Sequence, residues 1–340
     1  MKPAIKVLIV DDSAFARKVL REVLALCPDI EVVGTARDGL EALEKVAALK
    51  PDVLTLDLVM PNLDGLGVLA SLPAEHAPRV IVVSVSDADT ELGAAALQAG
   101  ALDIVRKPTA LATQQLYELR DELVAKIRVA ASARQPQGTP LAPMEARPGL
   151  SRRHDIIVLG TSTGGPQALT RLLPALPGNL PVPLLIALHI PPGYTEALAA
   201  RLHGASSLDV REAEEDLELR AGLVVLARGG AHLHVVQRGA KRLVRLDHRL
   251  GNAPHAPSVD QLFESAAAAY GERTLGVVLT GMGNDGLRGS AAIHRAGGTV
   301  LTESEVSSVV YGMPRSVKEA GYSNAEAPLE GMARAIVEHL

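Results

Sequence analysis

The stretch Ile156-Ile157-Val158-Leu159-Gly160-Thr161-Ser162-Thr163-Gly164-Gly165 joins an apolar run to a glycine-rich turn. The apolar run predicts a buried strand, and the segment after the turn predicts a helix. A serine on such a turn is held out of the packed layer, with backbone NH groups of the turn and of the helix start around it. Ser162 is therefore a candidate nucleophile, and the strand-to-helix step indicates an α/β fold.

Short apolar runs alternate with amphipathic segments on both sides of this turn. Over residues 5–105 the alternation predicts a doubly wound sheet, and it resumes later with strands near 156–160, 183–189 and 275–280. Between positions 223 and 246, three apolar segments with glycine-containing turns predict an antiparallel hairpin region attached to a mostly parallel second sheet. The interior must be built from Ala, Val, Leu and Ile, because only 2% of the residues are aromatic.

A proline-rich stretch separates the two halves of the chain. Residues 131–150 contain Pro136, Pro140, Pro143 and Pro148 and show neither helical nor strand periodicity. A chain of 340 residues is also too long for one ordinary core. We therefore predict a first domain at 1–128, a linker at 129–152 and a second domain at 153–340.

Composition narrows the class of protein. Lys plus Arg total 34 against 39 for Asp plus Glu, a formal net charge of -5, so the chain offers no basic surface for nucleic acid. Cys27 is the only cysteine, which excludes an intramolecular disulfide and favours a reducing compartment. No apolar run reaches the ~18 residues that a membrane-spanning helix needs. We expect a cytoplasmic protein with no membrane insertion.

Acidic residues follow two predicted strands of the first domain, and a lysine follows another. Asp11 and Asp12 come after the first strand, Asp57 after a later one, and Lys107-Pro108 after the last. The carboxyl ends of parallel strands meet at one crevice, so three carboxylates and one ammonium would converge there. Each aspartate alone could simply cap a helix. Together they predict a Mg2+ site, because Mg2+ prefers oxygen ligands.

These residues resemble the receiver domain of two-component response regulators over positions 4–125. The matching motifs are Val7-Leu8-Ile9-Val10-Asp11-Asp12-Ser13, Leu56-Asp57-Leu58-Val59-Met60-Pro61 with Asp64-Gly65, and Val105-Arg106-Lys107-Pro108. The resemblance implies a flavodoxin-like, five-stranded parallel sheet and a histidine kinase as phosphodonor. It also implies the following roles: phosphoacceptor Asp57; Mg2+ ligands Asp11, Asp12 and Asp57; switch hydroxyl Ser84; phosphoryl contact Lys107. Where such receivers often carry a switch aromatic, this chain has Ile104, so its coupling is expected to differ.

A nucleophilic serine needs a base and an acid that orients the base, and both have candidates at predicted strand ends. His189 ends the apolar run 184–188 and precedes a stiff turn, and Asp285 lies in the glycine-rich segment 279–286. The chain order Ser162, His189, Asp285 differs from the Ser, Asp, His order of α/β-hydrolases. The Gly-x-Ser-x-Gly motif therefore does not imply that fold.

Two other interpretations of these motifs stay open. The turn at 160–165 could bind a phosphate or a dinucleotide, but it lacks both the G-x-G-x-x-G spacing and a P-loop lysine. His232 and His234 are two apart on a predicted strand and could bind a metal ion, although no further clear ligand accompanies them.

The second half resembles the catalytic domain of chemotaxis-type protein-glutamate methylesterases, the CheB family, over residues 155–338. The matching segments are 160–165, 189–195, 281–286, Pro257-Ser258-Val259-Asp260 and Tyr311-Gly312-Met313-Pro314-Arg315. The resemblance implies a hydrolase that demethylates γ-glutamyl methyl esters on the cytoplasmic helices of chemoreceptors and often deamidates glutamines there. It also implies that the unphosphorylated receiver docks over the esterase site.

On this interpretation Ser162 attacks the ester carbonyl, His189 takes its proton, and Asp285 orients the imidazole. The expected oxyanion donors are backbone NH groups at Met282 and at Thr163 in the serine turn. This chemistry requires no metal ion or other cofactor at the esterase site.

Two segments depart from the family pattern and bear on which receptor is recognised. Arginines often precede Pro257, but here the segment is Gly251-Asn252-Ala253-Pro254-His255-Ala256, and the usual Pro-Gly turn near Ala227 is Arg228-Gly229-Gly230.

The alternative function is a response regulator whose second domain is a catalytically silent receptor-binding module. A DNA-binding output is disfavoured, because no helix-turn-helix pattern is present.

Overall fold

The computed structural model describes residues 3–73, 77–84, 90–107, 113–133, 153–249 and 253–340. The chain divides into two compact units, Met1–Ala133 and Arg134–Leu340. Most of the predicted linker, positions 134–152, lies outside the described residues, as does Pro108 of the Lys107-Pro108 pair. No helix in the described part of the chain is long and apolar enough to cross a membrane.

The first unit alternates strands and helices throughout. Its strands are β1 (Ile5–Val10), β2 (Ile30–Ala36), β3 (Val53–Leu56), β4 (Arg79–Ser84) and β5 (Asp103–Arg106). Its helices are α1 (Ala14–Ala25), α2 (Gly39–Leu49), α3 (Gly65–Ser71), α4 (Thr90–Gln98) and α5 (Thr113–Ser132). The last helix continues beyond position 128, where we predict the first domain to end.

The five strands form one parallel sheet in the order β2-β1-β3-β4-β5. This arrangement confirms the predicted doubly wound fold. The chain moves from β1 outward to β2 and then returns to β3 on the other side, so the order reverses between β1 and β3. Such a reversal opens a crevice beyond the carboxyl ends of those two strands. The aspartates that follow β1 and β3 therefore meet there.

The second unit repeats this alternation on a larger scale. Its strands are β6 (Ile156–Thr161), β7 (Leu184–Leu188), β8 (Asp209–Glu212), β9 (Leu223–Leu226), β10 (His232–Arg238), β11 (Lys241–Asp247), β12 (Thr274–Val278), β13 (Thr299–Glu303) and β14 (Ala325–Ala327). Its helices are α6 (Gly165–Ala175), α7 (Tyr194–Ala205), α8 (Val259–Tyr270), α9 (Leu287–Arg295), α10 (Met313–Glu319) and α11 (Leu329–His339).

Seven of these strands form a parallel sheet in the order β14-β13-β12-β6-β7-β9-β8. The strands β10 and β11 pair antiparallel in a separate sheet. The predicted antiparallel region was therefore wrong at its first segment, because β9 pairs parallel with β7 and β8. All four side chains of β9 are buried, as expected for a strand inside a parallel sheet rather than in a half-exposed hairpin.

The central strand of the larger sheet is β6, and the strand order reverses between it and β12. All six residues of β6 are buried, and its apolar side chains are Ile, Val and Leu. β-Branched residues with both faces covered are typical of the middle of a parallel sheet. The carboxyl ends of β12, β6 and β7 thus lie side by side at a topological switch point, which is where open α/β sheets bind ligands.

Candidate active site

Ser162 lies directly after β6, at the start of the turn into α6. Its backbone NH donates to the carbonyl of Thr280 (3.1 Å), and its carbonyl accepts from the NH of Gly165 (2.7 Å). The helix N-cap is Gly164, in the left-handed conformation with φ of 81°. A Cβ at Gly164 would lie 2.8 Å from the Cβ of Val309, so only glycine fits this turn. These contacts fix the backbone of the turn that carries Ser162, and the serine itself is buried rather than exposed.

His189 occupies the equivalent position on the neighbouring strand. Thr161 and Leu188 are register partners at the ends of β6 and β7, and Ser162 and His189 are the next residues of each strand. The NH of His189 donates to the carbonyl of Thr161 (3.2 Å), which continues the sheet pairing for one more step. Neighbouring strands lie about 4.8 Å apart, so the two backbones are adjacent.

Asp285 approaches from the other side of β6, in the loop between β12 and α9. Its Oδ2 accepts a hydrogen bond from Nε2 of His189 at 2.8 Å, and both side chains are less than a tenth exposed. Because β7 and β12 flank β6, the histidine and the aspartate meet across the end of the strand that carries Ser162. The second ring nitrogen, Nδ1, is buried and has no hydrogen-bond partner among the described residues.

The carboxylate of Asp285 is held by the amino-terminal end of α8. It accepts from the hydroxyl of Ser258 (3.1 Å) and from the NH groups of Val259 (2.8 Å) and Asp260 (2.9 Å). Burial raises the pKa of Asp285, but the hydrogen bond and electrostatic attraction of His189, together with the amides of Asp260 and Val259, lower it to about 2. Asp285 is therefore a carboxylate at neutral pH, in the right form to accept from the imidazole.

Asp260 makes the reciprocal contact with α9, the helix that follows Asp285. Its Oδ1 accepts from the NH groups of Gly286 (2.9 Å) and Gly289 (2.8 Å), and its Oδ2 accepts from Nε of Arg288 (3.0 Å). The amino-terminal end of α8 thus receives Asp285 from the loop before α9, and the amino-terminal end of α9 receives Asp260 from α8. Asp260 lies in the matching motif 257–260, where the sequence alone assigned it no role. An acidic residue in the first turn of a predicted helix was the signal for one.

The predicted oxyanion donors lie on the two turns that meet at Ser162. Thr163 is buried, and its carbonyl accepts from Oγ1 of Thr280 (3.0 Å). A Cβ built on Gly281, the residue before Met282, would lie 2.9 Å from the Cβ of Ser162. The NH of Met282 makes no hydrogen bond within the described ranges of the chain, and its side chain is 40% exposed. The two turns are therefore in contact at the serine.

Glu303 lies behind the serine turn and was not found from the sequence. Its Oε2 accepts from the NH of Thr280 (2.7 Å) and its Oε1 from the hydroxyl of Ser307 (2.8 Å). Thr280 in turn accepts from the NH of Ser162, so the glutamate acts on the turn through one residue. Burial raises the pKa of Glu303 to about 7, against the opposing effects of these two donors.

The pair His232 and His234, which the sequence offered as a possible metal site, lies at the start of β10. Nδ1 of His232 accepts from the NH of Ser258 (3.2 Å), and the rings of His232 and His234 meet edge to face at 6.4 Å. Within the described residues, the one group of three or more side chains suited to a metal ion is elsewhere, in the first unit. His232 thus positions the start of α8, and the alternative of a metal site at this pair gains no support.

In the first unit the three predicted carboxylates converge as expected from the topology. Ligand atoms of Asp11, Asp12 and Asp57 lie within 4.8 Å of one another, and Asp12 is the exposed member. Nζ of Lys107 lies 2.6 Å from Oδ2 of Asp57 and 2.5 Å from Oδ2 of Asp11. Burial raises the pKa of Asp11, as does the charge of Asp57, although Lys107 opposes both. Three clustered oxygen ligands suit a hard divalent cation.

Two further residues of the first unit, Ser84 and Ile104, lie in strands β4 and β5. Ser84 is the last residue of β4 and is fully buried, and its carbonyl accepts from the NH of Lys107 (2.7 Å). Ile104, at the position of the expected switch aromatic, is also fully buried within β5. The expectation that coupling differs from that of receivers with an aromatic residue at this position stays a prediction.

Both halves of the chain match known protein families, and similar proteins match almost its whole length. Residues 157–336 match the family described as CheB methylesterase, and residues 7–118 match the response regulator receiver domain. A Myxococcus xanthus protein named protein-glutamate methylesterase/protein-glutamine glutaminase 5 is 59% identical over 99% of this chain and 98% of its own length. A Symbiobacterium thermophilum protein with the same name, unnumbered, is 44% identical over 98% of this chain and 96% of its own. The crystal structure of the Thermotoga maritima CheB methylesterase catalytic domain is 39% identical, with a TM-score of 0.54, over 55% of this chain and 99% of that one.

Proposed function

Because this chain belongs to the CheB methylesterase family, we propose that it hydrolyses γ-glutamyl methyl esters on the cytoplasmic helices of chemoreceptors and deamidates particular glutamines there. The names of the full-length relatives support this substrate. The single observation that carries the chemistry is the hydrogen bond from His189 to Asp285, made across the strand end that holds Ser162. We therefore also propose that the protein acts in the cytoplasm.

In the first half-reaction, Oγ of Ser162 attacks the ester carbonyl carbon while the free nitrogen of His189 takes the hydroxyl proton. Asp285 keeps the other ring nitrogen protonated and stabilises the imidazolium that forms. The carbonyl oxygen gains negative charge, and the NH groups of Met282 and Thr163 are the donors that we assign to it. The attack gives a tetrahedral intermediate. Its collapse breaks the bond to the methoxy group, which leaves as methanol with the proton from His189.

In the second half-reaction, water attacks the acyl-serine while His189 accepts one of its protons. The proton then returns to Oγ as the ester bond to Ser162 breaks, which releases the glutamate side chain and restores the enzyme. With a glutamine substrate the same steps release ammonia instead of methanol. Every proton transfer uses one histidine, so neither reaction calls for a further cofactor at this site.

We also propose that phosphorylation of Asp57 by a histidine kinase controls this activity. Asp11, Asp12 and Asp57 are the residues that would hold Mg2+, and their clustered oxygens fit that ion. When bound, Mg2+ neutralises the charge of the carboxylates and of the incoming phosphoryl group. We assign the phosphoryl contact to Lys107, which its ion pair with Asp57 supports, and the switch hydroxyl to Ser84 at the end of β4.

The test is methanol release from receptor membranes whose glutamates carry labelled methyl groups. The wild-type chain should release methanol, and Ser162→Ala should reduce the rate by a factor on the order of 10⁶. The half-buried residue Ser206, which caps the end of α7, offers a matched control, because Ser206→Ala should leave the rate unchanged. If wild type and Ser162→Ala both fail to release methanol, the silent binding module becomes the better description.

A further inference from the structure

A second histidine lies against the proposed catalytic base. The rings of His189 and His255 are stacked, with centroids 4.1 Å apart and planes inclined by 26°. His255 belongs to the segment before Pro257 that departs from the family pattern, and it is exposed, whereas the side chain of His189 is 7% exposed. The outer ring thus covers one face of the inner one.

The chain is anchored by two contacts directly after His255. The carbonyl of Ala256 accepts from the NH of Gly230 (2.9 Å), and the NH of Ser258 donates to Nδ1 of His232 (3.2 Å). The hydroxyl of Ser258 then binds Asp285. The stacked ring and the carboxylate that orients His189 are therefore fixed to the same short stretch of chain.

His189 needs a second constraint that its hydrogen bonds do not supply. Asp285 holds only the Nε2 edge of the ring, and the described residues offer no partner to Nδ1. A ring held at one edge can still tilt about that hydrogen bond, which would displace Nδ1, the nitrogen to which we assign the proton of Ser162. Contact with a flat ring at stacking distance opposes this tilt, because tilting would cost the face-to-face packing.

We propose that His255 is a positioning residue that holds the imidazole of His189, through ring stacking, in the plane where its free nitrogen faces Ser162. This inference rests on the proposed function. The role requires a flat ring and not the titration of that ring. Substitutions at position 255 that keep a planar side chain should therefore preserve this role, and substitutions that remove the plane should abolish it.

The experiment compares His255→Phe, His255→Leu and His255→Ala in the full-length chain, with methanol release as the assay. Because a misplaced catalytic group costs up to about 100-fold, we expect Leu and Ala to lower kcat by about 10-fold to 100-fold with KM changed less than about 2-fold. Phe should keep kcat within about 3-fold of wild type. His255 is exposed, so the thermal unfolding midpoint should be the same in all three variants.

Each other outcome contradicts the proposal in a different way. An equal loss of kcat in His255→Phe and His255→Ala would mean that the imidazole itself is needed. Wild-type rates in His255→Ala and His255→Leu would mean that the stacking does not contribute to catalysis. A higher KM with unchanged kcat would make His255 a substrate contact instead. Failure of the wild type to release methanol would overturn the proposed function, so that failure is distinguishable from these.

Discussion

At the scale of single residues, the second unit contains two buried carboxyl groups with opposite behaviour. Asp285 accepts four hydrogen bonds and has a pKa of about 2, whereas Glu303 accepts two and has a pKa raised to about 7. Both are buried, so desolvation acts in the same direction on each. The number and charge of the donors decide which carboxyl stays ionised.

Glu303 should make the stability of the chain depend on pH near neutrality. Its folded-state pKa of about 7 lies above its ordinary value of 4.5, so its contribution is fully present below pH 4.5 and is lost as pH rises through about 7. The loss corresponds to about 3 kcal/mol in the free energy of unfolding. Glu303→Gln stays neutral and should flatten this pH dependence by that amount.

The measurement is denaturant unfolding between pH 4.5 and 8, followed by circular dichroism because the chain has no tryptophan. Glu305→Gln removes an exposed carboxylate two positions later and serves as the control, with an unchanged pH dependence expected. The assignment fails if Glu303→Gln and wild type lose the same stability across this range.

At the scale of elements, α8 and α9 hold each other through the paired aspartates. Asp260→Ala removes the carboxylate that accepts from two amide NH groups at the start of α9, which should lower the free energy of unfolding by about 2 kcal/mol. The same change frees Gly286, the neighbour of Asp285, so kcat for methanol release should also fall by about 10-fold. Asp260→Asn keeps one acceptor oxygen and should lose less of both.

Arg288 supplies the control for this pair of helices. Its guanidinium contacts Asp260 from a side chain that is 70% exposed, so Arg288→Ala should cost less than about 1 kcal/mol. Comparable losses in Asp260→Ala and Arg288→Ala would show that the ion pair, rather than the capping of α9, matters here.

The close packing of the serine turn can be tested by comparing alanine substitutions at two glycines that have the same backbone conformation. Gly164 has φ of 81° and its Cβ would lie 2.8 Å from Val309, whereas Gly321 has φ of 80° and open space around it. Gly321→Ala should cost about 1 kcal/mol for the left-handed backbone alone. Gly164→Ala should cost about 2 kcal/mol more, because the added methyl must displace Val309.

Urea unfolding and methanol release measure both effects in the same preparations. Gly164→Ala should also lower kcat, since the turn carries Ser162, and Gly321→Ala should not. Equal stability of the two variants would show that the turn yields to an added methyl group.

At the scale of the whole molecule, the two units are expected to act as regulator and effector. Phosphorylation adds one to three charge-assisted hydrogen bonds, whereas inverting a 1:99 equilibrium takes about 5.5 kcal/mol. We therefore expect an acyl-phosphate donor with Mg2+ to activate the chain only partially, raising kcat/KM between about 5-fold and 150-fold. The assay is methanol release with and without the donor.

Asp57→Asn cannot accept the phosphoryl group, so its rate should be the same with and without the donor. Chelation of Mg2+ should give the same result in the wild type. Equal wild-type rates under both conditions would contradict regulation through Asp57. An equal response in Asp57→Asn would instead place the phosphorylated residue elsewhere.

Much of this molecule is predictable from local sequence patterns. Apolar runs followed by chemically active side chains place Asp11, Asp57, Ser162 and His189 at strand ends, because parallel strands with both faces buried read as continuous apolar segments. The strand β2 escapes this pattern, since it contains Glu31 and Gly34 and lies at a sheet edge. The apolar run of β9 can be recognised in the sequence, but the run does not reveal that β9 pairs parallel with β7 and β8.

The sequence by itself determined the two-part α/β organisation, the family and the identity of the candidate nucleophile, base and acid. Only the tertiary structure decided what surrounds them: the capping of α8 by Asp285, the reciprocal role of Asp260, the buried glutamate behind the serine turn and the ring of His255 on His189. These contacts join residues far apart in the chain, and their energies depend on burial and orientation. Local patterns encode which face of an element is apolar, but they do not encode which distant donor or ring comes to lie against a given side chain.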